Sequence, residues 1–174
     1  VNFYSTSYGG VLIAAEIFGL PNITKPESVD FYGFHIHEHG DCTLPFDRTG
    51  DHYNPDGDKH PSHAGDLPPL MGNQGYAFLV AYDKHFRLPD IIGRSVIIHD
   101  KPDDFTTQPS GNSGTKIACG VIAERFTINY AKIPRHTRVF PVCFGGFYRM
   151  YDITPTVSQQ LFRRYSAYTL SLGI

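Results

Sequence analysis

The chain has 174 residues, of which 41% are hydrophobic and 18% are charged, and this length suits one domain rather than two of ordinary size. With 17 Gly, 13 Pro and 14% aromatic residues, the composition favours turn-rich β structure and excludes a coiled coil. A net charge of −2 excludes a strongly basic nucleic-acid-binding chain, and a membrane span is excluded because the best apolar run, Val11–Leu20, is short and contains Glu16.

Two short runs near the N-terminus have the composition of β-strands. The first, at residues 11–18, reads VLIAAEIF, and the second, at residues 31–37, reads FYGFHIH. Because side chains alternate along a strand, the second run sends His35 and His37 to the same face. Two imidazoles in this arrangement can bind one metal ion, although such pairs also occur as ordinary polar residues of a strand.

A long connection, residues 38–70, follows the second strand and is rich in His, Asp, Gly and Pro. Loops of this length in compact domains are typically functional or disordered. Within it, a complete tetrahedral donor set for zinc is formed by His52, His60, His63 and Asp66. A closed four-ligand site is structural, whereas a His-rich site with an open position suits a redox copper ion, and the ligands suffice for both.

Three further runs have strand composition and lie at residues 75–82, 95–99 and 116–122. Together with the first two they predict an all-β Greek-key sandwich or barrel. His99 ends one of these strands, and in the loop at 100–115 that follows, Asp103 and Asp104 could accept hydrogen bonds from ligand histidines. Eight of the nine histidines lie between His35 and His99, and this clustering indicates a metal centre.

The C-terminal part of the chain differs from the rest in charge. Residues 1–122 contain 8 Lys and Arg against 15 Asp and Glu, a net of −7, whereas residues 123–174 contain 7 against 2, a net of +5. We interpret 1–122 as the folded domain and 123–174 as an appended basic tail. In the tail, the alternation of apolar and polar residues predicts a strand at 126–131. Apolar spacing over 159–172 predicts either a basic amphipathic helix for a membrane surface or partner, or a poorly ordered extension.

The number of cysteines limits the disulfides that the chain can form. The chain has three cysteines, Cys42, Cys119 and Cys143. Because this number is odd, at most one intrachain disulfide is possible. The alternative is that all three are free, buried thiols of a protein from a reducing compartment. Spacing alone does not choose between these two states.

Five motifs, taken in chain order, resemble those of the copper,zinc superoxide dismutase family. They read GFHIHE at 33–38, HYNP at 52–55, HAGDL at 63–67, GRSVIIH at 93–99 and GNSGTKIACGVI at 111–122. The resemblance covers about residues 1–122 and implies a Greek-key β-sandwich or barrel of that type. It also implies dismutation of superoxide to dioxygen and hydrogen peroxide, with copper and zinc as cofactors. The short stretch between His60 and His63 is similar to the zinc loop of bacterial members.

Site residues follow from the resemblance position by position. It implies that copper is bound by His35, His37, His52 and His99. It implies that zinc is bound by His52, His60, His63 and Asp66, so that His52 bridges both metals. Asp103 matches a carboxylate that binds one copper ligand, His35, and one zinc ligand, His60. The intrasubunit disulfide of the family corresponds to Cys42 and Cys119. His39 and His85 match no ligand, and we expect them at the surface.

Two features depart from the family pattern. Lys116 stands where the family usually has Arg. It keeps the positive charge that attracts superoxide but lacks the planar two-pronged donor, so we expect a lower rate of dismutation.

The stretch Val1–Tyr4 aligns with the second strand of the family, which implies that the first strand is missing and that an edge is open. Either the chain is a fragment or another segment fills the gap, and the strand at 126–131 is our candidate.

Two functions compete on this evidence. The first is an enzyme, superoxide dismutase, and the second is a copper- and zinc-binding module without significant turnover. A cupin-type site is set aside for want of a correctly spaced Glu. Superoxide is the expected partner, nucleic acid and a membrane span are not expected, and a homodimer stays open. The disulfide pair and the family favour an exported location, whether periplasmic, cell-surface or extracellular, over the cytoplasm.

Overall fold

The computed structural model describes residues 1–22, 29–124 and 167–169. These ranges contain nine strands: β1 (Asn2–Ser5), β2 (Val11–Phe18), β3 (Val29–Tyr32), β4 (Phe34–His37), β5 (Leu70–Asn73), β6 (Tyr76–Asp83), β7 (Ser95–His99), β8 (Lys116–Val121) and β9 (Ala167–Thr169). They also contain a one-turn helix, α1 (Leu88–Ile91), and a 3₁₀ turn, Asp47–Thr49. Neither is long and apolar enough to cross a membrane.

The strands form two antiparallel sheets that share one core. The larger sheet has the order β3-β5-β6-β2-β1-β9, and the smaller has the order β4-β7-β8. Along β2, buried residues alternate with more exposed ones, as in a strand with one face on the core. The largest buried apolar side chains come from both sheets and include Phe3, Ile13, Tyr32, Phe34, Ile36, Leu70 and Ile98. The predicted all-β sandwich is therefore confirmed.

Four predicted strands match the structure to within one residue at either end, namely β2, β6, β7 and β8. The single strand predicted at 31–37 is wrong, because the chain passes from one sheet to the other at Gly33. A Cβ on Gly33 would lie 2.8 Å from the Cβ of Ser113 and 3.2 Å from the Cβ of His99, so the passage requires glycine. The Gly33 carbonyl accepts a hydrogen bond from the His99 N–H at 2.8 Å, which joins the crossover to β7.

The strand β1 is paired on both sides. It pairs with β2 and, on its other edge, with β9, in a register that sets Phe3 opposite Tyr168. A strand from the C-terminal segment therefore satisfies backbone groups that an open edge would leave unpaired. Neither interpretation of 159–172, helix or poorly ordered extension, describes Ala167–Thr169, since these residues form a strand along β1. The remainder of that range and the strand predicted at 126–131 lie outside the described residues.

Candidate metal centre

The strand β4 presents two histidines on the face that points away from the core. All four of its residues are buried, its two apolar residues in the core and His35 and His37 on the opposite face. Pairing with β7 sets their positions along the sheet, because His35 lies opposite Ile97 and His37 lies opposite Ser95. The alternation predicted from the sequence therefore places both imidazoles side by side above the smaller sheet.

The loop between β4 and β5 folds back along β4 and covers these histidines. Isolated bridges pair His37 with His52 and His35 with Asp66, so residues from the middle and the end of the loop lie beside the strand. All three histidines of this group are almost completely buried. The loop is thus a second wall of the site, and its two ligand-type residues come within reach of β4.

Backbone hydrogen bonds and one glycine hold the loop in this position. The Tyr53 N–H donates to the Ile36 carbonyl at 2.8 Å, and the Ile36 N–H donates to the Gly65 carbonyl at 2.9 Å. A Cβ on Gly65 would lie 2.3 Å from the Ile36 oxygen, so only glycine permits this close approach. Backbone hydrogen bonds, together with the burial of Tyr53, Ala64 and Leu67 in the core, therefore bring the ligands together.

The remaining histidine of the first cluster comes from the end of β7. The ladder between β7 and β8 shifts its register between Ile98 and His99, and His99 then lies opposite Lys116. The extra residue at this irregularity lies on β8, so alternation along β7 is unbroken. Ser95 and Ile97 lie opposite His37 and His35, and His99 continues that face, with its ring centre 5.5 Å from that of His37.

The first cluster consists of His35, His37, His52 and His99, whose ligand atoms all lie within 4.8 Å of one another. The His37 Nδ1–H donates to the Gly50 carbonyl at 2.9 Å, and His99 Nδ1 lies 3.4 Å from the Gly114 carbonyl. A carbonyl can only accept, so Nδ1 carries the proton on His37 and Nε2 carries the lone pair. The two Nε2 atoms of His37 and His99 are 3.3 Å apart. Converging nitrogen lone pairs of this kind suit a copper ion.

The second cluster consists of His52, His60, His63 and Asp66, and its ligand atoms are equally close. The Asp66 Oδ1 lies 2.7 Å from His52 Nδ1, and the Asp66 Oδ2 lies 3.1 Å from His60 Nδ1 and 3.2 Å from His63 Nδ1. The last two contacts do not have hydrogen-bond geometry, since both nitrogens remain without a hydrogen-bond partner. Three imidazoles and one carboxylate around a common point form a donor set that zinc prefers.

A single carboxylate connects the two clusters from outside. The His35 Nε2–H donates to Asp103 Oδ2 at 2.9 Å, and the His60 Nε2–H donates to Asp103 Oδ1 at 2.8 Å. Burial raises the pKa of Asp103, but hydrogen bonds from His35, the Phe105 N–H and His60 outweigh this effect and lower it to about 2. The ionised carboxylate can only accept hydrogen bonds. His35 and His60 therefore carry their proton on Nε2, and the Nδ1 of each ring faces its cluster.

Four buried ring nitrogens have no hydrogen-bond partner in the described part of the chain. They are His35 Nδ1, His52 Nε2, His60 Nδ1 and His63 Nδ1. Buried polar atoms are almost always paired, and an unpaired one costs about 1–3 kcal/mol. All four belong to the two clusters and are the atoms that the neighbouring hydrogen bonds leave free to bind a cation. The residues present therefore fit a copper ion and a zinc ion.

The protonation states of three of these histidines agree with the binding of metal ions. Burial lowers the pKa of His35 to about 4, that of His37 to about 2 and that of His99 to about 3. These imidazoles are therefore neutral near pH 7, which is the form that binds metals.

Lys116 lies at the edge of the first cluster and is half-buried. Its Nζ donates to Thr49 Oγ1 at 2.8 Å and to the Gly50 carbonyl at 2.9 Å, and it lies 3.5 Å from the Phe46 carbonyl. Burial lowers the pKa of Lys116, and the charges of Asp47 and Asp51 oppose this effect. The Gly50 carbonyl also accepts from His37, so one oxygen links the ammonium to a histidine of the cluster.

The remaining predicted residues divide into three groups. A disulfide joins Cys42, in the loop after β4, to Cys119 of β8. His39 and His85 are exposed and belong to neither cluster. Asp104, which we considered as an acceptor for ligand histidines, instead binds the backbone N–H and hydroxyl groups of Thr106 and Thr107.

Sequence reasoning missed Gln108 and the backbone acceptors of the site. The Gln108 Oε1 accepts from the His60 N–H at 3.0 Å, and its Nε2 donates to the His60 carbonyl at 2.7 Å. The Gly50 and Gly114 carbonyls complete the hydrogen bonding of two further histidines. A carbonyl oxygen has no side-chain signature, and a glutamine in a polar loop has no distinctive one, so no sequence signal pointed to them.

Comparisons with known proteins agree with this geometry. A family model described as copper/zinc superoxide dismutase matches residues 1–122. Over 138 residues the chain is 38% identical to Cu-Zn superoxide dismutase 3 of Arabidopsis thaliana, covering 70% of this chain and 80% of that protein. Over 105 residues it is 37% identical to the copper chaperone for superoxide dismutase of Mus musculus, covering 53% of this chain and 38% of the chaperone.

Solved structures of two further proteins have a similar fold. One is a double mutant of a SOD-like protein from Bacillus subtilis, with 34% identity and a TM-score of 0.55, covering 67% of this chain and 82% of that one. The other is the clock protein EA4, with 31% identity and a TM-score of 0.57, covering 69% of this chain and 90% of that one.

Proposed function

The chain belongs to the copper/zinc superoxide dismutase family, and from this premise we propose that it converts superoxide to dioxygen and hydrogen peroxide. Copper would be held by His35, His37, His52 and His99, and zinc by His52, His60, His63 and Asp66. The single observation that carries the proposal is the set of four buried, unpartnered imidazole nitrogens shared between these two clusters. One-electron exchange with superoxide is the chemistry that a bound copper ion would supply.

His52 is the residue that we assign to proton delivery. Its Nδ1 lies beside Asp66 in the second cluster, and its buried Nε2 belongs to the first cluster without a hydrogen-bond partner. In the overall reaction, two superoxide anions and two protons give one dioxygen and one hydrogen peroxide. We assign one of these protons to His52, whose Nε2 would hold it when that lone pair is not bound to copper and would give it to the peroxide product.

The test is a superoxide disproportionation assay on protein loaded with copper and zinc and dialysed against EDTA to remove loosely bound copper. We expect a second-order rate far above that of the metal-free protein, with one dioxygen and one hydrogen peroxide formed per two superoxide anions. A rate no higher than that of the metal-free protein would leave the chain as a metal-binding module.

That module is the second candidate, and the similarity to copper chaperones favours it. The chain spans only 38% of the chaperones it matches, so their activity is not transferred to it as a whole. Two observations support turnover over storage. The four-histidine cluster is complete, and a cation, Lys116, lies beside it. Both candidates require metal, so only a measured turnover separates them.

Lys116 is proposed to draw the anionic substrate toward the first cluster. Replacing it by isoleucine is expected to lower the second-order rate about tenfold at low ionic strength, because electrostatic attraction of a small anion is lost. The rate should also become less sensitive to salt, since salt screens the attraction. The measurement is the rate against ionic strength. Lys84, an exposed residue after β6, provides the control, because Lys84→Ile removes the same charge elsewhere. Equal effects of the two substitutions would exclude a local role for Lys116.

We further propose that residues 1–122 constitute the dismutase domain, with β9 added at the edge of its larger sheet, and that the protein is exported. The disulfide between Cys42 and Cys119 is compatible with an oxidising compartment. Localisation of the full chain by fractionation, with the redox state of both cysteines measured in each fraction, tests this proposal. Recovery of the chain in the cytoplasm with both thiols reduced would contradict it.

A further inference from the structure

Thr49 has a buried hydroxyl group beside the first cluster. It is the last residue of the 3₁₀ turn Asp47–Thr49, and its side chain is completely excluded from solvent. The hydroxyl donates to the Phe46 carbonyl at 2.7 Å and accepts from Lys116 Nζ at 2.8 Å. Because the donation to Phe46 orients the hydroxyl, a lone pair of the oxygen points to the ammonium.

The ammonium of Lys116 has three N–H groups, and three oxygens surround it. Thr49 Oγ1 and the Gly50 carbonyl lie at hydrogen-bond distance, and the Phe46 carbonyl lies at the outer limit. Two of the three N–H groups are therefore held at ordinary hydrogen-bond distance, and the third has only the more distant Phe46 carbonyl. The charge can still attract an anion, because Coulomb attraction acts over several ångströms without a hydrogen bond.

We propose that Thr49 is a positioning residue that holds the ammonium of Lys116 against the Gly50 carbonyl, beside His37, so that its charge stays at the edge of the first cluster. This inference rests on the proposed function, since it assigns Lys116 a role in attracting the substrate. A lysine side chain is flexible and moves its charge toward water when nothing holds it. Two carboxylates that act on Lys116, those of Asp47 and Asp51, would then compete for the released ammonium.

The prediction concerns Thr49→Val, which keeps the shape of the side chain and removes the hydroxyl. We expect copper(II)-loaded Thr49→Val protein to bind azide, a small anion, about fivefold more weakly than the wild type, because the charge has moved. Thr49→Ser should restore the wild-type affinity, since it keeps the hydroxyl. The affinity is measured by absorption titration at low ionic strength, and the dismutation rate is measured against salt in parallel.

A double-mutant cycle shows whether Thr49 acts through Lys116. In a Lys116→Ile background, Thr49→Val should leave azide affinity unchanged, because no ammonium remains to be positioned. An equal loss in both backgrounds would mean that Thr49 only supports the loop, and no loss in the wild-type background would remove it from the site. Should Thr49→Val fail to fold, Thr49→Ala replaces it in the same cycle.

Azide binding does not require turnover, so the two proposals can fail separately. Coupling between Thr49 and Lys116 without superoxide dismutation would overturn the proposed function and leave the positioning role intact. Superoxide dismutation without coupling between Thr49 and Lys116 would overturn the positioning role and leave the proposed function intact.

Discussion

Replacement of His52 by alanine is expected to weaken the binding of both metals and to reduce superoxide dismutation by more than about 100-fold. Loss of an outer hydrogen-bond partner of a ligand already costs about 10–100-fold in affinity or activity, and His52 is proposed as a direct ligand of both ions. Its Nδ1 lies 2.7 Å from Asp66 in one cluster, and its ring centre lies 3.9 Å from that of His35 in the other. Alanine removes both nitrogens together.

The experiment measures bound copper and zinc after dialysis against a chelator of intermediate affinity, together with the dismutation rate. His39→Ala is the matched control, because His39 belongs to the same loop but its side chain is exposed and lies in neither cluster. We expect the control to retain both metals and full activity. Retention of both metals by the His52→Ala variant would contradict a bridging role, and loss of one metal alone would assign His52 to that site only.

Much of the fold could be predicted because strand signals here are local. β2 and β7 coincide with their predicted ranges, since β-branched residues alternate or run continuously between Gly and Pro. The break between β3 and β4 could not be predicted, because it depends on how closely Ser113 and His99 approach Gly33. β5 contains Gly72 and Asn73 and is only four residues long, so its composition is too weak to indicate a strand.

The C-terminal strand β9 could not be predicted, because the local pattern of its sequence indicates a different structure. Apolar spacing over 159–172 has a helical period, yet Ala167–Thr169 is extended along β1. Helical periodicity describes a segment by itself, whereas the open edge of β1 is a property of the folded sheet. A tertiary partner therefore overrode the local pattern.

The ligand types and the donor set for zinc in the loop could be read from the sequence, but the way in which the loop meets β4 could not. His35 and His37 share a face by alternation alone. The loop residues reach them because the loop folds along β4. Backbone bonds between Ile36, Tyr53 and Gly65 and the burial of Leu67 in the core hold it there, and spacing does not encode that path. Before the structure, the assignment of His52 to both clusters depended on the family resemblance. The carbonyl partners of His37 and Lys116 were beyond sequence reasoning altogether, because backbone oxygens occur at every position.

Removal of the disulfide by the double substitution Cys42→Ser and Cys119→Ser is expected to destabilise the domain strongly. The bond closes a loop across 77 positions of the sequence, and the chain-entropy relation gives about 4.5 kcal/mol for a loop of that length. Measured losses for native disulfides are typically about 2–5 kcal/mol, so we expect a value in the upper half of that range. For a domain of this size the melting temperature should fall by roughly 10 °C or more. The free energy of unfolding is measured by urea unfolding of the metal-loaded protein, and the melting temperature by thermal unfolding of the same sample.

The same substitution should also lower activity, because Cys42 anchors the loop that carries Gly50 and His52. Without the anchor to β8, the Gly50 carbonyl is less firmly held against His37 and Lys116. Treatment of the wild type with a reductant should reproduce both losses, whereas the double variant should show no further change under reductant. If the variant unfolded within about 1 kcal/mol of the wild type, the unfolded chain would already be constrained by other means, and the loop-entropy account of this disulfide would be wrong.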